Sequence, residues 1–394
     1  MVTLSYAQDF LQNPDFEISP SNITTNSTTS QFILLTKANS IPGWSFNGTV
    51  SYVTSGANLS FPWNGGAHAV QLGENGTIKQ TLIAKGEVLD YMLSFNLIPQ
   101  SEDCANNRTA VNVSINGKST YYDKSKVFSL ERNLTRNLWE SHALYLGRLG
   151  DESIDITIAS VKTNHSQSNN VTCWPLVDAF TVKNNWLPRW YDGNGIANEG
   201  FEIGPGFLKN SSEGIILDEE QDRFNSPLQE WSILGKIKYI DSKNYKVPRG
   251  KAAIELLTGD PSGVRMDLIL ETTYTYTLTF TTGDANDSCA GDLTVHVQLG
   301  NYNVHNFTMR SNGTGSALKR SITFKSDERT ETPIALYSFN TTRTSSGVMC
   351  GPVIDNVILQ VSDRGKSGSY RERMKFYDGV LILSLFTALV MLMV

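Results

Sequence analysis

Charge is scarce in this sequence: only 18% of its 394 residues are Asp, Glu, Lys or Arg, and the net charge is -6. A surface short of basic groups excludes a non-specific grip on nucleic acid, whose phosphates demand a cationic face. It also argues against electrostatic adhesion to acidic polysaccharide or anionic lipid as the main binding mode. Cysteine is scarcer still, at four residues with no C-x-x-C, so neither a redox loop nor a structural zinc site is suggested. G-x-S-x-G, H-E-x-x-H and a Walker loop are missing, and the five histidines form no close ligand pair. The reading is of a chain that is not an enzyme.

Asn, Ser, Thr and Gly fill the deficit of charge. Fifteen Asn-x-Ser/Thr sequons occur, a density expected of a secreted glycoprotein. Use is expected at Asn22, Asn26, Asn47, Asn58, Asn75, Asn107, Asn133, Asn164, Asn170, Asn210, Asn286, Asn306, Asn312 and Asn340. The remaining one, Asn112, lies in a strand-like stretch and is expected to stay bare.

Long apolar runs are absent until the last fifteen residues, VLILSLFTALVMLMV. As a helix these would reach about 22 Å, short of the roughly 30 Å of a bilayer core. Small residues at 367–369, a polar spacer and the apolar tail follow the order of a glycosylphosphatidylinositol (GPI) signal, with Ser367 as the expected attachment point. The opening MVTLSYAQDF has no basic or apolar leader region, so a signal peptide upstream of Met1 is expected.

Four segments recur in the same order. Asn13-Pro14-Asp15-Phe16-Glu17-Ile18 is answered by Asn198-Glu199-Gly200-Phe201-Glu202-Ile203. Trp44 with Val50-Ser51-Tyr52-Val53 is answered by Trp231 with Ile237-Lys238-Tyr239-Ile240, and Gly66 to Leu72 by Gly250 to Leu256. Cys173-Trp174-Pro175-Leu176-Val177-Asp178 is answered by Cys350-Gly351-Pro352-Val353-Ile354-Asp355, and the displacements are 185, 187, 184 and 177 residues. Spacing so steady implies a duplicated domain. The expected division is 8–183, a linker at 184–193, a second domain at 194–361, a polar anchor region at 362–379 and a removable tail at 380–394.

Alternation in Val111 to Ile115, Ile154 to Ile158, Tyr274 to Phe280 and Leu293 to Val297 is that of half-buried strands, so two all-β sandwiches are expected. Two cysteines fall in each domain, which favours Cys104–Cys173 and Cys289–Cys350 among three pairings; each bridge would contribute roughly 2–4 kcal/mol.

Glu17 with Asp178, and Glu202 with Asp355, join a first-strand acid to a last-strand acid. Such pairs could hold a structural Ca²⁺ with backbone carbonyls, or cap backbone amides. No cofactor beyond that ion is called for. For sugar stacking, Trp63 between Pro62 and two glycines is the leading candidate, followed by Tyr121, Tyr122 and Tyr245, with Arg249 as a charged contact.

In these segments the chain resembles the plant cell-wall family DUF642, specifically its GPI-anchored branch, through Asn-x-x-Phe-Glu at each domain start, Ile41-Pro42-Gly43-Trp44, Val247-Pro248-Arg249-Gly250, Gly283-Asp284-Ala285-Asn286 and Cys350-Gly351-Pro352-Val353-Ile354-Asp355. The resemblance implies tandem jelly-roll, galactose-binding-like domains at the outer face of the plasma membrane and in the wall. It implies association with cellulose or pectin, or recruitment of a pectin methylesterase as an adaptor. The chain departs from the pattern at Asp15 and Trp174, where glycine is usual, so close backbone approaches at those points are not expected in the first domain.

Overall fold

The computed structural model describes residues 10–21, 31–56, 59, 61, 67–105, 109–117, 123–162, 172–187, 193–209, 211–326, 331–339 and 341–363, without the side chains of 258–260. The described chain is all-β apart from a 3-10 turn at Glu102–Cys104.

Among the described residues eleven strands build the first unit: β1 (Phe32–Leu34), β2 (Ser45–Asn47), β3 (Val50–Thr54), β4 (His68–Leu72), β5 (Thr77–Ile83), β6 (Leu89–Ile98), β7 (Ala110–Gly117), β8 (Lys124–Ser129), β9 (Glu140–Leu149), β10 (Ser153–Ser160) and β11 (Leu176–Asn185). One sheet runs β2-β5-β10-β7-β8, and facing it is β1-β3-β4-β11-β6-β9. Alternation decides what lies between them. Ile78 and Leu82 of β5, and Ile154, Ile156 and Ile158 of β10, meet Tyr91, Leu93, Phe95 and Leu97 of β6 in one buried cluster. β11 runs two residues into the stretch expected to be a linker, because Asn184 and Asn185 pair with Tyr91 and Asp90.

Among the described residues the second unit has nine strands: β12 (Ile215–Glu220), β13 (Ser232–Asp241), β14 (Ala252–Ile269), β15 (Thr275–Gly283), β16 (Ala290–Leu299), β17 (Asn303–Asn312), β18 (Ala317–Lys325), β19 (Glu331–Ser338) and β20 (Val353–Asp363). Its pairings repeat the first unit, with β15 between β18 and β20, and β19 between β14 and β16. The difference is at the corner. β13 spans the positions of β2 and β3, and β14 those of β4 and β5, so both strands pass from one sheet to the other. Gly235 (φ 58) and the register shift between Leu234 and Lys236 absorb the bend. All strands except the five of the first unit's smaller sheet therefore belong to one continuous hydrogen-bonded array.

That array also joins the units. β12 lies parallel to β9, with Ile215 beside Ser141 and Ile216 beside His142. Around the joint Lys236 bonds Asp218 and lies 3.3 Å from Glu131, while His142 Nε2 lies 3.2 Å from Glu140. Lys183 and Asn185 of the first unit both donate to the carbonyl of Gly204, at 2.9 and 3.1 Å.

Disulfides join Cys104 to Cys173 and Cys289 to Cys350. Among the described residues no helix is long and apolar enough to cross a membrane.

Candidate functional site

The duplicated segments converge on one construction, made twice. A turn precedes the first strands, at Asn13–Ile18 and at Asn198–Ile203. Each holds two non-glycine residues at positive φ: Asn13 (46°) and Phe16 (55°), Asn198 (50°) and Phe201 (56°). Such backbone costs on the order of 1–3 kcal/mol per residue and persists only where its surroundings fix it.

Here side chains fix it. Asn13 is bonded to both backbone groups of Ile18 at 2.9 Å, as Asn198 is to those of Ile203 at 2.7 and 3.0 Å. The indole of Trp44 donates to the carbonyl of Asn13 (3.1 Å), and that of Trp231 to the carbonyl of Asn198 (3.3 Å). The hydroxyls of Tyr52 and Tyr239 donate to the carbonyls of Phe16 (2.9 Å) and Phe201 (2.8 Å). Burial raises both phenol pKa values, that of Tyr52 to about 12, so each remains a donor.

The four acids cap this construction. Glu17 Oε1 accepts from the amides of Ala67 (2.8 Å) and His68 (3.1 Å), and Oε2 lies 3.0 Å from His68 Nδ1. Glu202 Oε1 accepts from Lys251 (2.7 Å) and Ala252 (3.3 Å). Asp178 Oδ1 accepts from the amide of Ala179 at 2.6 Å, and its other oxygen is buried without a hydrogen-bond partner among the described residues. Asp355 accepts from Asn356 and Arg249, both at 2.6 Å. A bulge follows each aspartate, where Ala179 and Asn356 take φ of 53°. Beyond the bulge Phe180 donates to the carbonyl of Pro14, and Val357 to that of Glu199.

One orphaned oxygen, on Asp178, would suit a cation, but a calcium needs six to eight oxygen ligands. Among the described residues no group of three acidic, His or Cys side chains is placed to hold a metal. Oε1 of Glu17, Oε1 of Glu202 and both oxygens of Asp355 are engaged with backbone amides, and Oε2 of Glu17 meets the His68 ring.

Burial pushes the carboxyl of Asp355 up to about 7, with the Glu202 charge adding to it and the Arg249 and Asn356 amides opposing it. An acid with a raised folded pKa holds its proton in the native state while the unfolded chain has released it. Stability from this group is therefore full below pH ~4 and lost as pH rises to about 7. The expected loss is roughly 1–2 kcal/mol after discounting for solvent screening, read as a falling urea midpoint that flattens in Asp355→Asn. A cation held by Glu202 and Asp355 would keep both ionised and give the opposite slope.

Of the sequence-selected sugar contacts, the structure describes Tyr245 and Arg249. Trp63, Tyr121, Tyr122 and Ser367 lie outside the described residues. Arg249 is exposed, with its amide on Asp355. Tyr245 is a correction: it is only 8% exposed, its hydroxyl accepts from the amide of Gly214, and its ring packs with Ile240, Ala253, Ala285 and Val353. Its loop curls inward because Asp241 accepts from the amides of Lys243 and Asn244, and Tyr245 donates its amide to the Asp241 carbonyl. Of the sequons expected to be used, the described ones at Asn47, Asn75, Asn133, Asn286, Asn306 and Asn312 are exposed, and Asn112 is half-buried.

The two departures from the glycine pattern differ in consequence. A Cβ at Gly200 would meet Asp355 at 3.6 Å, an ordinary contact, so Asp15 fits without rearrangement. At Gly351 it would meet the Leu256 carbonyl at 1.9 Å, so Trp174 requires a different approach of the chain.

Asn13, Trp44 and Tyr52, with their counterparts, are the site residues that side-chain chemistry alone did not single out. Their recurrence in register was the available signal.

Comparison with known proteins gives the same two units. The family described as "Protein of unknown function (DUF642)" matches residues 9–183 and 194–360. Protein TEEBE of Arabidopsis thaliana is 31% identical over 359 residues, covering 89% of this chain and 91% of that protein. The Arabidopsis thaliana protein DUF642 L-GALACTONO-1,4-LACTONE-RESPONSIVE GENE 2 is 31% identical over 365 residues, covering 91% and 92%. Among solved structures, the tandem CBM22-1-CBM22-2 domain of Paenibacillus barcinonensis Xyn10C is similar with a TM-score of 0.29 and 12% identity, covering 92% of this chain and all of that one. TmCBM61 in complex with beta-1,4-galactotriose gives 0.30 and 16%, covering 45% and 99%. At those scores the structural likenesses carry no inference about a ligand. The matched segments, present twice and spanning nearly all of both units, show that this chain belongs to the DUF642 family.

Proposed function

We propose that this protein is a non-catalytic cell-surface protein that binds plant cell-wall polysaccharide, with the loop between β3 and β4 as its contact point. A lipid near Ser367 holds it at the outer face of the membrane in this reading.

The observation that carries it is the anchoring of that loop. Leu59 and Phe61 are buried against Val53, Ala69, Ile98, Trp139 and Leu176, a cluster separate from the sandwich core. Val53, Ala69 and Ile98 alternate with the core residues Tyr52, Val70 and Leu97, so this cluster covers the outer face of the larger sheet. A bridge between Gly56 and Leu59 tightens the loop further. Trp63 comes two residues after the anchored Phe61 in the sequence, and an anchor so near lowers the entropy cost of engaging a ligand.

Trp63→Ala is expected to weaken polysaccharide binding at least about tenfold, the loss of roughly 1.4 kcal/mol of stacking. A glycan array with the deglycosylated chain reads this. Absence of all glycan binding, with stable capture of a pectin methylesterase, would replace this reading with the adaptor one.

A further inference from the structure

A single lateral row crosses four strands on the outer face of the second unit. Asn306 of β17 pairs with His296 of β16, His296 with Tyr337 of β19, and Tyr337 with Gly263 of β14. Alternation fixes which way this row points. Leu293, Val295, Val297 and Leu299 of β16 are buried, so His296 lies on the opposite face. Phe307 packs edge-on against the core Phe280 at 5.3 Å, which puts its neighbours Asn306 and Thr308 outward.

Phe339, just past β19, completes an aromatic group. His296 and Tyr337 lie nearly parallel with centroids 5.3 Å apart, and Phe339 stands edge-on at 5.1 Å from His296 and 5.4 Å from Tyr337. Phe339 is 50% exposed. Asn306 is exposed and its Oδ1 lies 2.7 Å from His296 Nδ1. Asn306-Phe307-Thr308 is one of the sequons.

We infer that the His296–Tyr337–Phe339 face is the resting surface of an N-linked glycan carried by Asn306. The inference rests on the exported, glycosylated reading of the chain. Strands stand about 4.8 Å apart, so Tyr337 lies about 10 Å from Asn306, within the span of a disaccharide core. The apolar C–H faces of N-acetylhexosamine rings suit aromatic surface that otherwise meets water. A free polysaccharide chain competes poorly for the same surface, because a glycan tethered in that row has a high local concentration.

The attachment is chemically complete. The Asn306 amide nitrogen attacks C1 of an oligosaccharide carried on a lipid pyrophosphate. The C–N bond forms as the C1–O bond to pyrophosphate breaks, the nitrogen loses one proton, and lipid pyrophosphate leaves. The contact with His296 engages only the amide oxygen.

The test uses the full chain from a secretory host that makes N-glycans, with occupancy mapped by mass spectrometry and glycan release followed by peptide-N-glycosidase on the folded protein. Asn306 is expected to be occupied and released several-fold more slowly than Asn312. Phe339→Ser removes that delay, and Asn340→Gln leaves it unchanged. Phe339→Ser and Asn306→Gln each lower the melting temperature by about 2–4 °C, and the double variant by no more than the larger single change. Release at Asn306 as fast as at Asn312, loss of the delay in Asn340→Gln, or a bare Asn306 beside other occupied sequons overturns the inference. No occupied sequon anywhere overturns the exported reading and this inference with it.

Discussion

Trp231→Ala is expected to destabilise the second unit by about 3–5 kcal/mol, lowering its melting transition by on the order of 10 °C. Two losses combine. Trp231 is fully buried among Phe201, Leu228 and Ile233, so truncation leaves a cavity. Its indole also donates to the carbonyl of Asn198, which itself sits at positive φ. Trp231→Phe separates the terms: much of the volume remains, the donor is lost, and the cost is about 1–2 kcal/mol. Because Trp44 repeats the contact in the first unit, Trp44→Ala should cost a similar amount there. A calorimetric loss below about 1 kcal/mol for Trp231→Ala would mean that the turn is held by other means.

Lys238→Met is expected to cost about 3–5 kcal/mol, and adding Glu255→Gln should recover most of it. Lys238 Nζ lies 3.3 Å from Glu255 Oε2, at 2% and 0% side-chain exposure. Each charge is tolerated only because of the other. Burial already pushes the Glu255 carboxyl up to about 7, although Lys238 opposes that shift. With the lysine gone, the acid must be carried neutral, and a raised folded pKa means that stability falls as pH rises above the unfolded value. The single variant should therefore be weaker at pH 8 than at pH 5 in urea melts. Gln at 255 keeps an acceptor for the amide of Gly351, which Glu255 Oε1 serves at 3.1 Å. If the double variant is as unstable as the single one, the lost lysine packing and not the unpaired charge is responsible.

What the sequence disclosed was whatever repeats or alternates. Val111 to Ile115 and Ile154 to Ile158 read as strands and pair with each other in the structure. The even cysteine count, divided two and two, led to the observed bridges. What it hid was register and loop direction. Gly48 and Gly235 look alike in the alignment of the halves, yet the first separates β2 from β3 and the second lies within an unbroken β13. Tyr245 stood among the candidate stacking aromatics, but nothing local shows that Asp241 folds its loop inward. His296 and Tyr337 are forty-one residues apart and meet only because β16 and β19 pair in one register. The carboxylates were legible as pairs, since they recur with the turns they cap, but their amide partners were not.

The parallel contact between β9 and β12 bears on synthesis. A chain emerging from the ribosome completes the first unit's strands well before Ile215 and Ile216 become available to cover β9. Through that interval β9 is an open edge, the kind of template that invites pairing with another chain. Its defence in the meantime is local: Glu140 and His142 are charged or polar positions on that strand, and Arg148 and Gly147 interrupt any apolar run. The second unit thus acts toward the first as a late-arriving cover for the start of β9, and truncation after residue 183 would leave unpaired the edge that Ile215 and Ile216 meet at Ser141 and His142.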